Sequence, residues 1–299
     1  MKKVQYYLGR VHKLGRLNDD LLTEAIREPK IHTAYDYAWT FTGTIVKQSK
    51  DGSIKYIYSE LCKFEPSGTI TVIDEEQHSK NEITEPNLVM ASSPFIYIPH
   101  CSGIAYQHIW NKIEKKAFIK NFSNIVKISN DNFFVDCDIE PITDLVKFYH
   151  KLASIKDITE IKAKVTPPNP LFGRAWKDLK EYLSRRAVSE LNLREKGRDD
   201  KPLSSKIAEY IKILIEKKTH EKYEPDEPID LTDAAVLMAA DGYGTGKVVG
   251  KVDGSIVTVN TSESQLNFVT EANISPDHLY EEAHLNFERI NIQRDLGHQ

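Results

Sequence analysis

Asp136, Asp138 and Glu140 alternate along the chain, so on a strand they share one face. Glu160 and Lys162 follow about twenty residues later on a second alternating segment. An acid followed by Glu-x-Lys resembles the carboxylates that hold Mg²⁺ in many nucleases, with a lysine assisting the attacking water. On that reading Asp136, Asp138, Glu160 and Lys162 form a Mg²⁺-dependent nuclease site. The competing reading is a solvated strand face, because Glu-x-Lys arises readily in a chain that is 28% charged.

Gly242, Gly244, Gly246 and Lys247 suggest a phosphate loop. A Walker loop would need glycine and Ser or Thr where Asp241 and Val248 stand, and it would lead into a helix. A turn before a β-hairpin fits better. His100, Cys101 and His108 lie close together, but a Cys–His nucleophile needs a third orienting group that the sequence does not supply.

The stronger lead is basic. Residues 151–220 sum to +7 and residues 221–299 to −10, within a 299-residue chain of net charge −4. Arg174, Lys177, Lys180, Arg185 and Arg186 fall mostly off the apolar stripe of a helix expected over residues 172–193, and Lys162, Lys164, Arg194, Lys196, Arg198 and Lys201 extend the patch. Such a surface suits phosphates, with salt-sensitive, sequence-tolerant affinity. Read blandly, it is a solvated amphipathic helix with i,i+4 ion pairs.

The elements that must position these groups are those of an α+β protein. Residues 1–110 read as an antiparallel β meander: strands over 4–11, 39–46, 54–61, 69–73, 95–98 and 104–108. Asn18 caps a helix to residue 27, Asp51-Gly52 makes a hairpin turn, and Pro66-Ser67-Gly68 makes another turn. Residues 111–220 form an α/β region: helices over 112–128 and 144–154, strands over 133–139 and 158–165, the basic helix, and a helix over 204–217. Residues 221–299 form an acidic region with a short helix over 232–240, a hairpin around Asp253-Gly254, and a final helix over 278–292. Cys62, Cys101 and Cys137 are odd in number and lack ligand spacing, which fits reduced thiols in a cytoplasmic protein. The N-terminus reads as a strand and no run is long enough to span a bilayer, so membrane insertion is not expected.

Residues 158–186, a strand ending in Pro168-Asn169-Pro170 and then a helix, together with the later glycine-rich hairpin, resemble an uncharacterised prokaryotic family found near phage-defence genes. The plan also resembles, more remotely, RexA-like exclusion proteins. The resemblance implies a non-enzymatic protein binding double-stranded DNA with little sequence preference. It also implies homodimerisation, a possible partner defence protein, no cofactor, and a role in abortive infection or phage exclusion. The acidic segment 221–299 would then shield the basic face. The alternatives are the Mg²⁺-dependent nuclease and a toxin-type effector whose basic face meets an acidic protein.

Overall fold

The computed structural model describes residues 2–167, 171–198, 201–217 and 228–297. Pro168-Asn169-Pro170 therefore lies outside the described residues.

The fold is α+β, and its strand pairings are antiparallel throughout. The chain begins with β1 (Lys3–Gly15) and α1 (Asp19–Arg27). Asn18 caps α1, its Oδ1 accepting the Leu21 N–H at 2.9 Å. Asn18→Ala is expected to cost ~1 kcal/mol in a urea denaturation series. The meander follows: β2 (His32–Ala34), β3 (Tyr37–Gln48), β4 (Ile54–Asp74), β5 (Ser79–Ile98) and β6 (Gly103–Gln107). Then come α2 (Lys115–Ser129), β7 (Val135–Pro141), α3 (Leu145–Ala153), β8 (Asp157–Val165), β9 (Phe172–Gly173), α4 (Lys177–Arg185), β10 (Leu191–Lys196) and α5 (Ile207–Glu216). The last part holds α6 (Leu231–Met238), β11 (Gly244–Val252), β12 (Ser255–Asn260), β13 (Asn267–Glu271), α7 (Pro276–Arg294) and β14 (Leu296–Gly297).

The large sheet has the order β13-β1-β6-β5-β4-β3-β2, with β7 also pairing β1. The alternation of β1 divides the interior. Val11 faces a core closed by α1 and α2, where Phe118 stacks on Tyr106 at 4.3 Å and 9°. Tyr6 and Leu8 face the second core, shared with α3, α5, α6, α7 and the second sheet, β10-β8-β11-β12. The large sheet therefore joins the first strand to the late strand β13, whereas the second sheet is built from β8, β10, β11 and β12 of the later half of the chain.

Two sequence expectations change. Pro66-Ser67-Gly68 makes no turn; β4 runs straight through it to Asp74. The register passes from Glu65↔Leu88 to Ser67↔Pro86, leaving Pro66 and Asn87 unpaired, so the ladder loses no bond to Pro66. The helix expected over residues 172–193 is also shorter, since α4 spans only nine residues. Ala187 adopts a left-handed φ of 49°. Its N–H reaches the Ser184 carbonyl at 3.1 Å, and the Val188 N–H reaches Leu183 at 3.0 Å. That is a Schellman stop built without glycine. Residues 191–196 then pair with β8 as β10.

The acidic C-terminal segment is part of the interior. It supplies β11 and β12, and α7 buries Leu279, Ala283 and Phe287. Its described portion is therefore built into the core and is no detachable shield.

Candidate functional site

Strand alternation gives the second sheet two unlike faces. Ile161, Ala163 and Val165 of β8 are buried beneath α6, which packs across β8 and β11. Lys162 and Lys164 point to the opposite side, and the register sets their neighbours. Arg194 lies opposite Lys162, which lies opposite Lys247, which lies opposite Asn260. In the next row Asn192 lies opposite Lys164, which lies opposite Thr245. These side chains line an open cleft of about 550 Å³.

Like charges directly opposite on a ladder repel, so three cations in one cross-strand row carry a standing cost. Glu160 relieves part of it. Its carboxylate meets Lys162 at 3.1 Å and the Arg194 guanidinium, and these hydrogen bonds hold it below the usual carboxylate range. Lys164 pairs with Glu190 at 2.7 Å, which raises its pKa. Lys247 forms no ion pair among the described residues. Glu140 and Asp138 of β7 also act on Lys164, so the positive part of the face is the row Arg194, Lys162 and Lys247, three cations against the one carboxylate of Glu160.

The helical bases are placed elsewhere. α4 packs on α6, so the layer order sets it on the far side of the sheet from Lys162 and Lys164. Arg174 and Lys177 line a separate cleft of about 360 Å³ with Trp176 and Ile229. Lys177 also lies 3.7 Å from Glu181. Lys180 is buried, and burial lowers its pKa. Arg185 and Arg186 are exposed at the end of α4. Of the residues expected to meet phosphate, the structure brings Lys162, Lys164 and Arg194 together, joined by Lys247.

The expected carboxylate set is divided. Asp136, Asp138 and Glu140 do share a face of β7, opposite Leu14, His12 and Arg10. Asp136 pairs with Lys127 at 2.7 Å, whereas Glu160 lies in the other sheet, bound to Lys162 and Arg194. Among the described residues, no group of three His, Cys, Asp or Glu side chains could hold a metal ion. Glu140 is half-buried; burial and then Asp138 push its pKa up to about 7, with Lys164 opposing the shift.

His12 is not legible in the sequence as a functional residue, yet it ties the two sheets together. Its Nε2 lies 2.7 Å from the Gly242 carbonyl and its Nδ1 lies 2.9 Å from the Thr166 hydroxyl. A carbonyl only accepts, so Nε2 carries the proton and Nδ1 accepts from Thr166. Burial lowers the pKa of His12, in keeping with the neutral ring. The bond fixes the end of β8, two residues beyond Lys164.

The glycine stretch is a buried connector. Ala239–Tyr243 form a wide π-type turn in which Gly242 has φ 88°. A Cβ there would meet Arg10 Cγ at 2.7 Å, and one at Gly244 (φ 145°) would meet the Lys164 carbonyl at 2.0 Å. The glycines let the turn close on β1 and β8. Cys101 is fully buried with its thiol pKa raised by burial, so it is not placed as a nucleophile; Cys62, Cys101 and Cys137 are all free thiols. His100 lies edge-on to His284, and His108 lies edge-on to Trp110.

Fold and site together define an antiparallel α+β protein, built on an eight-stranded and a four-stranded sheet with a small β14-β9 pair, in which the four-stranded sheet has an open, basic face. Residues 19–215 match the model of a family described as Domain of unknown function (DUF4747), and the chain belongs to that family. No curated protein matches the sequence. The match takes in β8 and β10, with Lys162, Lys164 and Arg194, but not β11 and Lys247. No described helix is long and apolar enough to cross a membrane.

Proposed function

We propose that the protein is a non-enzymatic, cytoplasmic nucleic-acid-binding protein that holds the phosphate backbone of double-stranded DNA on the open face of its second sheet. The observation that carries this reading is the cross-strand row Arg194, Lys162 and Lys247, with Lys164 beside it. Strands lie about 5 Å apart and alternate residues about 7 Å apart, so the cations form a grid that one backbone meets at several points. Phosphate would replace the repulsion within the row by attraction and release counterions. The low sequence preference of this reading rests on contacts to phosphate, which carry no base information. The phage-exclusion role implied by the resemblance would use this same surface. With four phosphate contacts, log affinity is expected to fall against log salt with a slope of about −3 to −4. A titration of labelled duplex showing a flat salt response would refute this reading.

A second expectation concerns pH. Glu140 titrates at about 7 in the fold and near 4.5 in a free chain. The folded state thus holds the extra proton, and its stability falls as pH rises from about 4.5 to about 7, then levels off. Glu140→Gln is expected to match the wild type at the low end and to exceed it above pH 7 by on the order of 2 kcal/mol. Thermal melts across that range check this; parallel curves for the two proteins would contradict it.

A further inference from the structure

The hairpin of β4 and β5 runs well past the sheet that anchors it. β3 pairs β4 only between Ile54 and Phe64, and β6 pairs β5 only from Phe95 to Ile98. From Glu65↔Leu88 to Asp74↔Ser79 the two strands pair with each other alone among the described residues. This arm is about 30 Å long by strand rise. A two-stranded ribbon with no third partner is marginal in water. Ile73 is 72% exposed on it and Ile83 42%. Its charge is one-sided: Glu65, Asp74, Glu75, Glu76, Glu82 and Glu85 stand against a single lysine, Lys80.

We propose that this acidic arm docks across the basic sheet face of a second copy of the chain. The arm is a narrow ribbon of carboxylates. The face is four strands wide, about 14 Å between its outer strands, and carries Arg194, Lys162, Lys247 and Lys164. Charge complementarity selects the partner surface and orients the encounter. Docking gives the lone ribbon the neighbour that it lacks and quenches the like-charge row on the face. Each copy holds one arm and one face, so the contact is reciprocal or propagates from copy to copy. The inference is independent of nucleic-acid binding, because self-association is read with no nucleic acid present.

Sedimentation velocity on the full chain tests it, with an arm variant (Glu75→Gln, Glu76→Gln, Glu82→Gln, Glu85→Gln) and a face variant (Lys162→Gln, Lys247→Gln). Circular dichroism checks that both fold. The wild type is expected to self-associate at low salt and to dissociate as salt rises. Each variant is expected to weaken self-association about tenfold or more. A mixture of the two variants is expected to form a complex, since one retains an intact face and the other an intact arm. A wild type that stays monomeric at low salt would overturn the proposal. So would self-association that ignores salt and both sets of substitutions, which would point to strand pairing along the open edges of the arm.

Discussion

Asp241→Ala is expected to cost about 3–5 kcal/mol of folding stability, a large share of the roughly 5–15 kcal/mol typical of a folded protein. The reason is local and electrostatic. Asp241 is 5% exposed, and Arg10 and Arg294 beside it are 0% and 2% exposed. The Arg294 guanidinium donates to Asp241 Oδ1 at 2.8 Å, and the Trp176 indole donates to Oδ2 at 2.7 Å. The Asp241 backbone carbonyl also accepts from Arg10 Nε at 3.4 Å. Arg10 is otherwise held by neutral acceptors, the Cys101 carbonyl at 2.6 Å and Asn291 Oδ1 at 3.2 Å. Removing the carboxylate leaves two buried cations with no counter-ion in their hydrogen-bond shell among the described residues. Asp241→Asn keeps an acceptor but loses the charge, so an intermediate cost is expected. Combining it with Arg294→Met removes the orphaned cation and is expected to recover part of the loss. Urea unfolding of the set decides the matter; a cost below about 1 kcal/mol for Asp241→Ala would show that the pair is not what joins β1, the π-type turn and α7.

The second large effect belongs to the sheet face. Lys162→Glu with Lys247→Glu reverses the centre of the cation row and is expected to reduce affinity for a DNA duplex on the order of 100-fold at low salt. The same double substitution also sets two new carboxylates opposite each other beside Glu160, which weakens the ladder. Lys162→Gln with Lys247→Gln separates the two effects, because it removes charge without adding repulsion. Neutralising Arg185 and Arg186 on α4 is expected to change affinity less than about threefold, since the layer order sets that helix on the other side of the sheet. Equal losses from both surfaces would mean that the helix joins the interface.

The parts of the fold legible in the sequence are those where local and tertiary signals agree. Asn18 caps α1, the alternation of residues 158–165 sets β8, and Ser275-Pro276 opens α7. The departures have physical causes. Residues 172–193 are rich in helix formers, and the stop at Ala187 uses a left-handed residue other than glycine, so no breaker is visible. The alternation of Leu191 and Leu193 with Asn192 and Arg194 marks β10, but it is short and merges with the helical pattern before it. The arm reads as a turn because Pro66 and Gly68 are turn residues; an irregular, unpaired step carries the strand past them. For the site, alternation alone finds Lys162 and Lys164. It does not join Lys247 to them, because the place of Lys247 opposite Lys162 depends on a pairing some eighty residues apart in the chain. Asp136, Asp138 and Glu140 share a face as expected, but the helix α3 that follows carries Glu160 into a different sheet.

Fluorescence anisotropy of a labelled DNA duplex, titrated with the wild type and with Lys162→Gln/Lys247→Gln from about 50 to about 200 mM salt, reads phosphate binding on the sheet face without intermediary. Wild-type affinity is expected to fall steeply over that range, and the variant is expected to bind more weakly with a slope shallower by about 2. Equal affinity and equal slope for the two proteins would contradict phosphate binding on this face.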